Sequence, residues 1–505
     1  MEADKKRSIG VGALLSYILL FLNTIYGLLI TPYILKYVGE VSYGVYKSVS
    51  SLSATLAVMD LGLGSTTTRY MAKYNATKNK ADAKNFFAMV MIQFFVIAAL
   101  VAVAGIGIYC VIPSMYSNTF SSDEISLARD LVMFLIINMV LRMFEHLLSG
   151  VATGYGRFVF ANALKIVSVI IKFSAVLIVL PIVKNVLLIV VIETFVVSAL
   201  IVGFLFYDFV KLGVVPKLRR WDRAVFKESF AYTALMFVQT ITIQFNGNVD
   251  NILIGAKLGP TSVTIYSMAL IIYGMYQNLS GSIANVMLPH ITKQVVADLP
   301  AEKIQSTVEK AGRYQFYILG AALGGFAVLG KEFFVLWVGE KFVDCYLLTL
   351  ILLVPVTVTM MQNVSLSVLR AKNKMGYRTV TLGISCVLNL ITSLVGLYFF
   401  GYWGAAIGTA VATVSNLIFM NIYYHRELNF KITRLFKNTI SRTPICILIA
   451  SAVTLLTHQL ISGSWWTFAV NAGIFCLVYG ISIVFIAWTP AERRAYLPFL
   501  RRKKS

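Results

Sequence analysis

Residues 158–207 read FVFANALKIVSVIIKFSAVLIVLPIVKNVLLIVVIETFVVSALIVGFLFY. Two apolar runs of more than 20 residues are separated here by a short turn at 181–184. A helix of about 20 apolar residues crosses the hydrocarbon core of a bilayer. Because lipid offers no partners to backbone N–H and C=O groups, each run must satisfy its own hydrogen bonds as a helix. The stretch therefore predicts a helical hairpin that crosses the membrane twice.

The same pattern recurs along the whole chain. Of its 505 residues, 58% are hydrophobic and only 13% are charged, against about 25% charged in an ordinary globular domain. A β-barrel would instead need short strands of alternating polarity, and the long apolar runs do not alternate. We predict an all-α polytopic membrane protein with about 14 transmembrane helices. The predicted spans are 11–31, 42–63, 86–112, 127–148, 158–181, 183–207, 230–256, 261–284, 314–338, 345–369, 376–400, 403–424, 443–462 and 466–488.

Positive charge alternates between successive connections of these spans. The N-terminus, the even-numbered connections and the C-terminal tail hold 34 of the 44 Lys and Arg residues, and the odd-numbered connections hold six. Cytoplasmic loops of membrane proteins carry such an excess. A missed span would invert the alternation downstream of it, so the asymmetry supports the span count. It also predicts that both termini are cytoplasmic, and it accounts for the net charge of +22 without a nucleic-acid partner.

An internal repeat divides the chain. The segment GEVSYGVY at 39–46 matches GPTSVTIY at 259–266 at an offset of 220 residues. Two further matches at an offset of 221 lie at corresponding places in the helix order: Leu148 with Leu369, and Arg157 with Arg378. Each copy holds six spans, so both copies enter the membrane from the same side. The sequence therefore predicts two lobes related by a pseudo-two-fold axis along the membrane normal, with a binding site between them.

The repeat sets the predicted domain boundaries. They are an N-terminal six-helix lobe at 1–210, a cytoplasmic linker at 211–228, a C-terminal six-helix lobe at 229–425, an amphipathic cytoplasmic linker at 426–442, and two extra helices with a basic tail at 443–505. Stretches 214–230 and 426–440 mix basic residues with Phe, Leu and Ile. Each is consistent with an amphipathic helix on the anionic leaflet or with a solvated basic loop.

Four cations lie within predicted spans: Lys47, Arg142, Lys165 and Lys172. At a helix centre each costs about 2.5–3.5 kcal/mol on insertion scales, so such residues normally face a bundle interior or a water-filled cavity. The first three are also close enough to helix ends to snorkel to the interface. Lys172 is deeper, and Glu193 on the returning helix lies at nearly the same depth. Two alternatives follow for Lys172: a buried ion pair with Glu193, or a contact with the substrate.

Candidate ion-coupling groups are Glu145, His146, Glu193 and Asp250. Arg142 and Glu145 have the i, i+3 spacing of a local ion pair. His146 within span four is a candidate for proton coupling, and a hydrogen-bonded packing role is the alternative.

Spans seven and eight are rich in amides and tyrosines. Gln239, Asn246, Tyr266 and Tyr273 suit a hydroxyl-rich ligand, because such groups hydrogen-bond and stack without demanding one geometry. The alternative is hydrogen bonding between helices. The sequence contains no Walker A, H-E-x-x-H, CxxC or strand-linked GxGxxG pattern. We therefore predict no cofactor, no metal and no enzymatic activity, and the missing nucleotide motif argues against an ATP-driven pump.

With this topology the chain resembles the polysaccharide flippases (Wzx-like O-antigen flippases) of the multidrug/oligosaccharidyl-lipid/polysaccharide exporter superfamily. The resemblance lies in 39–47, in DLGLG at 60–64 with Arg69, in DNILIG at 250–255, and in GYWGAAIGT at 401–409. Span one lacks the carboxylate of many drug-exporting relatives and the arginines typical of lipid II flippases.

The resemblance implies a bacterial inner-membrane flippase that works by alternating access. It would move a polyprenyl-pyrophosphate-linked oligosaccharide outward, driven by an ion gradient, with substrate contacts at the cations and at the amides and tyrosines named above. Membrane lipids, glycan polymerase and glycosyltransferases are the implied partners. A cation-coupled multidrug or metabolite antiporter is the alternative function, and a non-transporting scaffold for glycan-assembly enzymes is a third.

Overall fold

The computed structural model describes residues 2–56, 63–372, 374–488 and 492–493, without the side chains of 2–9, 13, 56, 63, 224–225, 227–241 and 282–286. Within this part of the chain every regular element is a helix. The α-helices are α1 (Glu2–Val38), α2 (Glu40–Leu56), α3 (Leu63–Ala76), α4 (Lys80–Tyr116), α5 (Ser122–Gly154), α6 (Phe158–Val183), α7 (Leu187–Phe206), α8 (Arg223–Leu258), α9 (Pro260–Val296), α10 (Ala301–Val338), α11 (Cys345–Met360), α12 (Asn363–Ala371), α13 (Gly376–Phe400), α14 (Tyr402–Leu428), α15 (Ile432–Ile440), α16 (Thr443–Leu460) and α17 (Trp465–Ser482). Short π-helical turns at Tyr207–Lys211 and Ile483–Ala487 extend α7 and α17.

Eleven of the predicted spans are helices long and apolar enough to cross a membrane. The other three, 42–63, 230–256 and 261–284, overlap α2–α3, α8 and α9. Residues 57–62, between α2 and α3, and some side chains of α8 and α9 lie outside the described part of the chain. The protein is therefore a multi-pass helical membrane protein. One span differs from the prediction of a continuous helix, since 345–369 is divided into α11 and α12 at residues 361–362.

The chain divides into two compact units, Met1–Ser267 and Met268–Ser505. The boundary lies inside α9, whereas the repeat places its linker at 211–228. The units reflect packing and the repeat reflects duplication, so the predicted domain boundaries stay a prediction.

The predicted linker at 211–228 has no helix between the π-helical turn that ends at Lys211 and the start of α8 at Arg223. Asn85 of α4 holds this loop, because its Oδ1 accepts the backbone N–H groups of Arg219 at 2.6 Å and Arg220 at 2.9 Å. Its Nδ2 donates to the Arg220 carbonyl at 3.0 Å. Of the two alternatives for 214–230, the loop is therefore confirmed over 214–222, and residues 223–230 form the start of α8.

The second basic stretch does contain a helix, α15. Its Leu435 is buried, and Asn438 donates to Glu309 of α10 at 2.7 Å. Arg434 lies 3.3 Å from the same carboxylate. The apolar side of α15 thus packs on its own unit, and a position on the lipid surface stays a prediction.

The repeat appears as matching geometry at Gly39 and Gly259. Both glycines have φ = +84°, and each joins two helices directly. That left-handed conformation is one glycine adopts without steric cost. Thr264 Oγ1 donates to the Glu40 carbonyl at 2.6 Å, and Gly44 packs against the Pro260 carbonyl. At the offset of 220, Glu40 corresponds to Pro260 and Gly44 corresponds to Thr264, so each of the two contacts is the counterpart of the other. A two-fold axis produces such an exchange.

Small residues also set the crossing of α13 and α14 within the second unit. Gly396 and Gly404 lie back to back, and Gly408 faces Ser393. Close backbone approach through small residues is the usual way that membrane helices associate. This contact explains Gly404 and Gly408 of the GYWGAAIGT motif at 401–409. Gly401 has φ = +57° and joins α13 to α14.

We expect Gly404→Ala to separate α13 from α14. The added Cβ would overlap the Gly396 carbonyl and lie 2.5 Å from its Cα, and backbone atoms cannot rotate away as a side chain does. Overpacking of this kind costs about 1–3 kcal/mol or more. Thermal melting of the purified protein, followed by size-exclusion chromatography, measures the loss. Gly383→Ala in α13 is the control, because nothing lies within 4 Å of its added Cβ. Equal melting temperatures for the two variants would contradict the close contact.

Candidate functional site

A cavity of about 160 Å³ opens among α1, α5, α6 and α7 in the first unit. Apolar side chains of these helices and the polar Asn23 and Ser168 form part of its wall. The rest is ionisable: Arg142, Glu145, His146, Lys165, Lys172 and Glu193. Each of these six residues was a candidate from sequence, and the structure brings them together.

Helix periodicity places α5 between the core and the cavity. Met143, Leu147 and Val151 recur at intervals of four and are buried in a cluster with aromatic residues of α4. Residues three and four apart lie on one helix face. Arg142 and Glu145 therefore project from an adjoining face into the cavity.

Glu193 of α7 is the centre of the first charged group. Its carboxylate accepts Arg142 Nη2 from α5, and its Oε2 lies 3.4 Å from Lys172 Nζ of α6. The predicted Lys172–Glu193 pair is thus confirmed. The predicted alternative for Arg142, a local pair with Glu145, is not the ion pair observed. Arg142 also donates through Nε to Asn138 Oδ1 at 3.1 Å.

Glu145 is the centre of the second group. Its Oε1 lies 3.1 Å from Lys165 Nζ, and its Oε2 lies 3.7 Å from His146 Nε2. The Glu145 side chain is only 5% exposed, whereas that of His146 is 50% exposed. The carboxylate is therefore buried behind its cationic partner, and the histidine is open to the surroundings.

The cavity carries surplus positive charge. Three cations stand against two carboxylates, before any proton on His146. Removing one member of a buried ion pair leaves an uncompensated charge, which costs about 3–5 kcal/mol. The Arg142 side chain remains 42% exposed despite its partners. Such an arrangement can accept an additional anionic group.

Lys47 is not among the residues that line this cavity. Its Nζ lies 5.3 Å from the ring centroid of Tyr43 and 5.8 Å from that of Tyr46. Aromatic faces attract cations at such distances. A substrate contact by Lys47 stays a prediction.

The candidates on spans seven and eight have a different environment. Tyr266 donates to Asp250 Oδ2 at 2.7 Å, and both residues are buried. This hydrogen bond joins α8 to α9, as the packing alternative requires. Asn246 and Tyr273 are half-buried, and the side chain of Gln239 lies outside the described residues. Substrate contacts by Gln239, Asn246, Tyr266 and Tyr273, and ion coupling through Asp250, stay predictions.

Asp208 is a buried acid that sequence reasoning missed. It lies in the π-helical turn after α7 and is 0% exposed. Neither of its carboxyl oxygens has a hydrogen-bond partner among the described residues, which is rare for a buried polar atom. The only sequence signal is a single acid near the end of an apolar run, which equally fits a solvated helix end.

Several solved structures share this fold. The lipid II flippase MurJ, in an inward closed conformation, aligns with a TM-score of 0.75 at 14% identity, over 94% of this chain and 98% of the flippase. An inward-facing multidrug resistance MATE family transporter of the MOP superfamily aligns with a TM-score of 0.65 at 13% identity, over 78% and 94%. A MOP superfamily transporter from Pyrococcus furiosus aligns with a TM-score of 0.55 at 13% identity, over 84% and 96%. At these identities the likeness concerns the fold alone.

Sequence comparison identifies the family. No curated protein matches the chain. The family model described as "Polysaccharide biosynthesis protein" matches residues 10–295, which is more than half of the 505 residues. The chain therefore belongs to the polysaccharide biosynthesis protein family, with the fold of the flippases and transporters of the MOP superfamily.

Proposed function

We propose that this protein is a flippase for a polyprenyl-pyrophosphate-linked oligosaccharide, such as an O-antigen, capsule or exopolysaccharide repeat unit. It moves the glycan lipid from the cytoplasmic to the outer leaflet of the bacterial inner membrane by alternating access, driven by an ion gradient. Both termini lie in the cytoplasm. The observation that carries the proposal is the convergence of Arg142, Lys165 and Lys172 on one cavity.

The chemistry of these cations suits a pyrophosphate. An Arg guanidinium presents a planar fork that matches phosphate oxygens, and a Lys ammonium acts as a compact point charge. Inside the membrane the low dielectric strengthens their attraction for an anion. The two carboxylates, Glu145 and Glu193, keep the cavity close to neutral when no ligand is bound.

The remaining candidates have roles in the same proposal. Amide and phenol groups of Gln239, Asn246, Tyr266 and Tyr273 contact sugar hydroxyls as the lobes change conformation, and Lys47 adds a further cation. Glu145, His146, Glu193 and Asp250 are the groups through which an ion gradient acts. Glycan polymerase and glycosyltransferases are its partners.

A cation-coupled multidrug or metabolite antiporter is the second candidate function. The MATE structures with this fold favour it, as do the two carboxylates of the cavity. A site for cationic drugs needs surplus negative charge, however, and three cations face two carboxylates here. The charge balance therefore favours an anionic passenger.

Reconstitution tests the flippase directly. Purified protein in vesicles is given a fluorescent polyprenyl-pyrophosphate oligosaccharide in one leaflet, and an impermeant quencher reports its appearance in the other. We expect movement that depends on the protein and falls about tenfold in Lys165→Ala, which corresponds to about 1.4 kcal/mol of binding free energy. Lys331→Ala is the control, because this exposed lysine lies on α10. Vesicles that move no glycan lipid, but exchange a cationic dye for protons, would overturn the flippase and establish the antiporter.

A further inference from the structure

Glu193 occupies the position that an anionic ligand needs. Its carboxylate holds Arg142 of α5 and Lys172 of α6 at the same time. The side chains of Lys172 and Glu193 are each only 19% exposed, so there is little free access to Lys172 while the carboxylate is in place, whereas Arg142 is 42% exposed. A phosphate oxygen that binds both cations must take the place of this carboxylate.

Both cations have a second anchor that does not depend on Glu193. Arg142 is held through Nε by Asn138, which itself donates to Thr194 at 3.3 Å. Lys172 Nζ lies 4.5 Å from the ring centroid of Tyr26 on α1, within the range of a cation–π contact. The two cations therefore keep their positions when the carboxylate moves away.

The other carboxylate of the cavity, Glu145, differs from Glu193 in the number of its cationic partners and in its burial. Glu145 is bound by one lysine, Lys165, and is more deeply buried than Glu193. Displacing Glu145 frees one cation, whereas displacing Glu193 frees two that converge. Glu193 is thus the carboxylate whose release builds an anion site.

We propose that Glu193 is an internal competitor that holds the Arg142–Lys172 site closed until a diphosphate group displaces it, and that the displaced carboxylate takes up a proton. This inference rests on the proposed function and assigns the ligand group of that same cavity. A carboxylate that loses two cationic partners in a poorly solvated cavity favours its neutral form. Because linkage is reciprocal, protons then favour diphosphate binding and diphosphate favours proton binding.

Other titratable groups face Glu193 from every neighbouring helix. The elements are α1, α2, α5 and α6. Each group acts electrostatically on Glu193 or on its partner Lys172, or lines the same cavity. They are Tyr26 of α1, Tyr46 and Lys47 of α2, Arg142, Glu145 and His146 of α5, and Lys165 and Lys172 of α6. A test must therefore distinguish protonation of Glu193 from protonation of these neighbouring groups.

Calorimetry of inorganic pyrophosphate binding to the purified full-length protein provides that test. Titrations in two buffers of different ionisation enthalpy give the number of protons taken up. We expect Glu193→Gln to bind pyrophosphate about tenfold more tightly than the native protein at pH 7.5, and to take up fewer protons. Glu309→Gln is the matched control, because Glu309 of α10 is also a buried carboxylate with a cationic partner, Arg434, and does not line the cavity. We expect its affinity to change less than threefold and its proton count to stay that of the native protein. Equal or weaker binding by Glu193→Gln, or an unchanged proton count, overturns the inference.

A measurement on the native protein keeps the test valid if the variant fails to fold. Infrared difference spectra on pyrophosphate addition are expected to lose a carboxylate band and gain a protonated carboxyl band. Their absence overturns the inference. Geranyl pyrophosphate separates the two sources of the ligand group, since tighter binding than inorganic pyrophosphate indicates a lipid-linked ligand and equal binding a free one.

The two proposals fail in distinguishable ways. Glycan-lipid movement in vesicles together with an absence of pyrophosphate binding overturns the role of Glu193 and leaves the flippase standing. Competition by Glu193 without any glycan-lipid movement supports the inference on the diphosphate site and overturns the flippase.

Discussion

Gly44→Ala is expected to prevent accumulation of folded protein in the membrane. An added Cβ would overlap the Pro260 carbonyl oxygen, lying 2.5 Å from its carbonyl carbon and 2.8 Å from Thr264 Oγ1. Side-chain overpacking alone costs about 1–3 kcal/mol. Here the obstacle is backbone, so α2 and the start of α9 must separate. That movement also breaks the hydrogen bond from Thr264 to Glu40.

Size-exclusion chromatography of a fluorescent fusion measures the folded fraction of this variant. Gly27→Ala in α1 is the matched control in the same unit, because nothing lies within 4 Å of its added Cβ. We expect the control to behave as the native protein does. A normal elution peak and melting temperature for Gly44→Ala would show that the repeat segments do not touch in this way.

Arg142→Ala is expected to reduce glycan-lipid movement about 100-fold. Truncating one partner of a buried, hydrogen-bonded charge pair costs about 2–5 kcal/mol, and each 1.4 kcal/mol is a factor of ten. The variant removes the guanidinium fork and leaves Glu193 with Lys172 as its remaining ion-pair partner among the described residues. Loss of a phosphate contact and loss of stability would therefore occur together in the single variant.

The conservative variant Arg142→Lys separates these two effects. It keeps a cation beside Glu193 and leaves the Lys172–Glu193 pair intact, but it removes the planar guanidinium fork that matches phosphate oxygens. We therefore expect its melting temperature to stay close to that of the native protein while movement stays low. Arg129→Ala is the control on the same helix, because Arg129 lies over the Tyr109 ring at 4.2 Å and does not line the cavity. Native movement in Arg142→Lys would mean that the positive charge of Arg142 is sufficient and that its fork makes no phosphate contact.

Some of the candidate site was predictable from local sequence. Lys172 and Glu193 stand at similar distances from the turn at 181–184, so helix rise alone brought them to one depth. The partner of Arg142 was not predictable in this way. Sequence spacing favoured Glu145 on the same helix, but Arg142 bonds to a carboxylate 51 residues away.

Helix continuity was also only partly predictable. The apolar run at 345–369 is long enough for one span, yet the structure ends α11 at Met360 and starts α12 at Asn363. Hydropathy measures transfer into lipid and is insensitive to a single irregular turn. The burial of Asp208 was missed for the same reason. A lone acid at a helix end has the same hydropathy value whether its side chain is exposed to water or buried in a core.

The apolar segments were sufficient to predict a polytopic helical membrane protein and eleven of its spans, because the cost of moving each segment into lipid depends on that segment alone. The sequence also showed the internal repeat, which the two glycines at φ = +84° express as structure. Only the packed helices show which carboxylate each cation of the cavity binds, and that Lys47 lies by Tyr43 and Tyr46 and is not among the residues lining the cavity. Helix rotation and tilt are set by packing against neighbouring helices, so the residues that share a cavity follow from contacts that no single segment encodes.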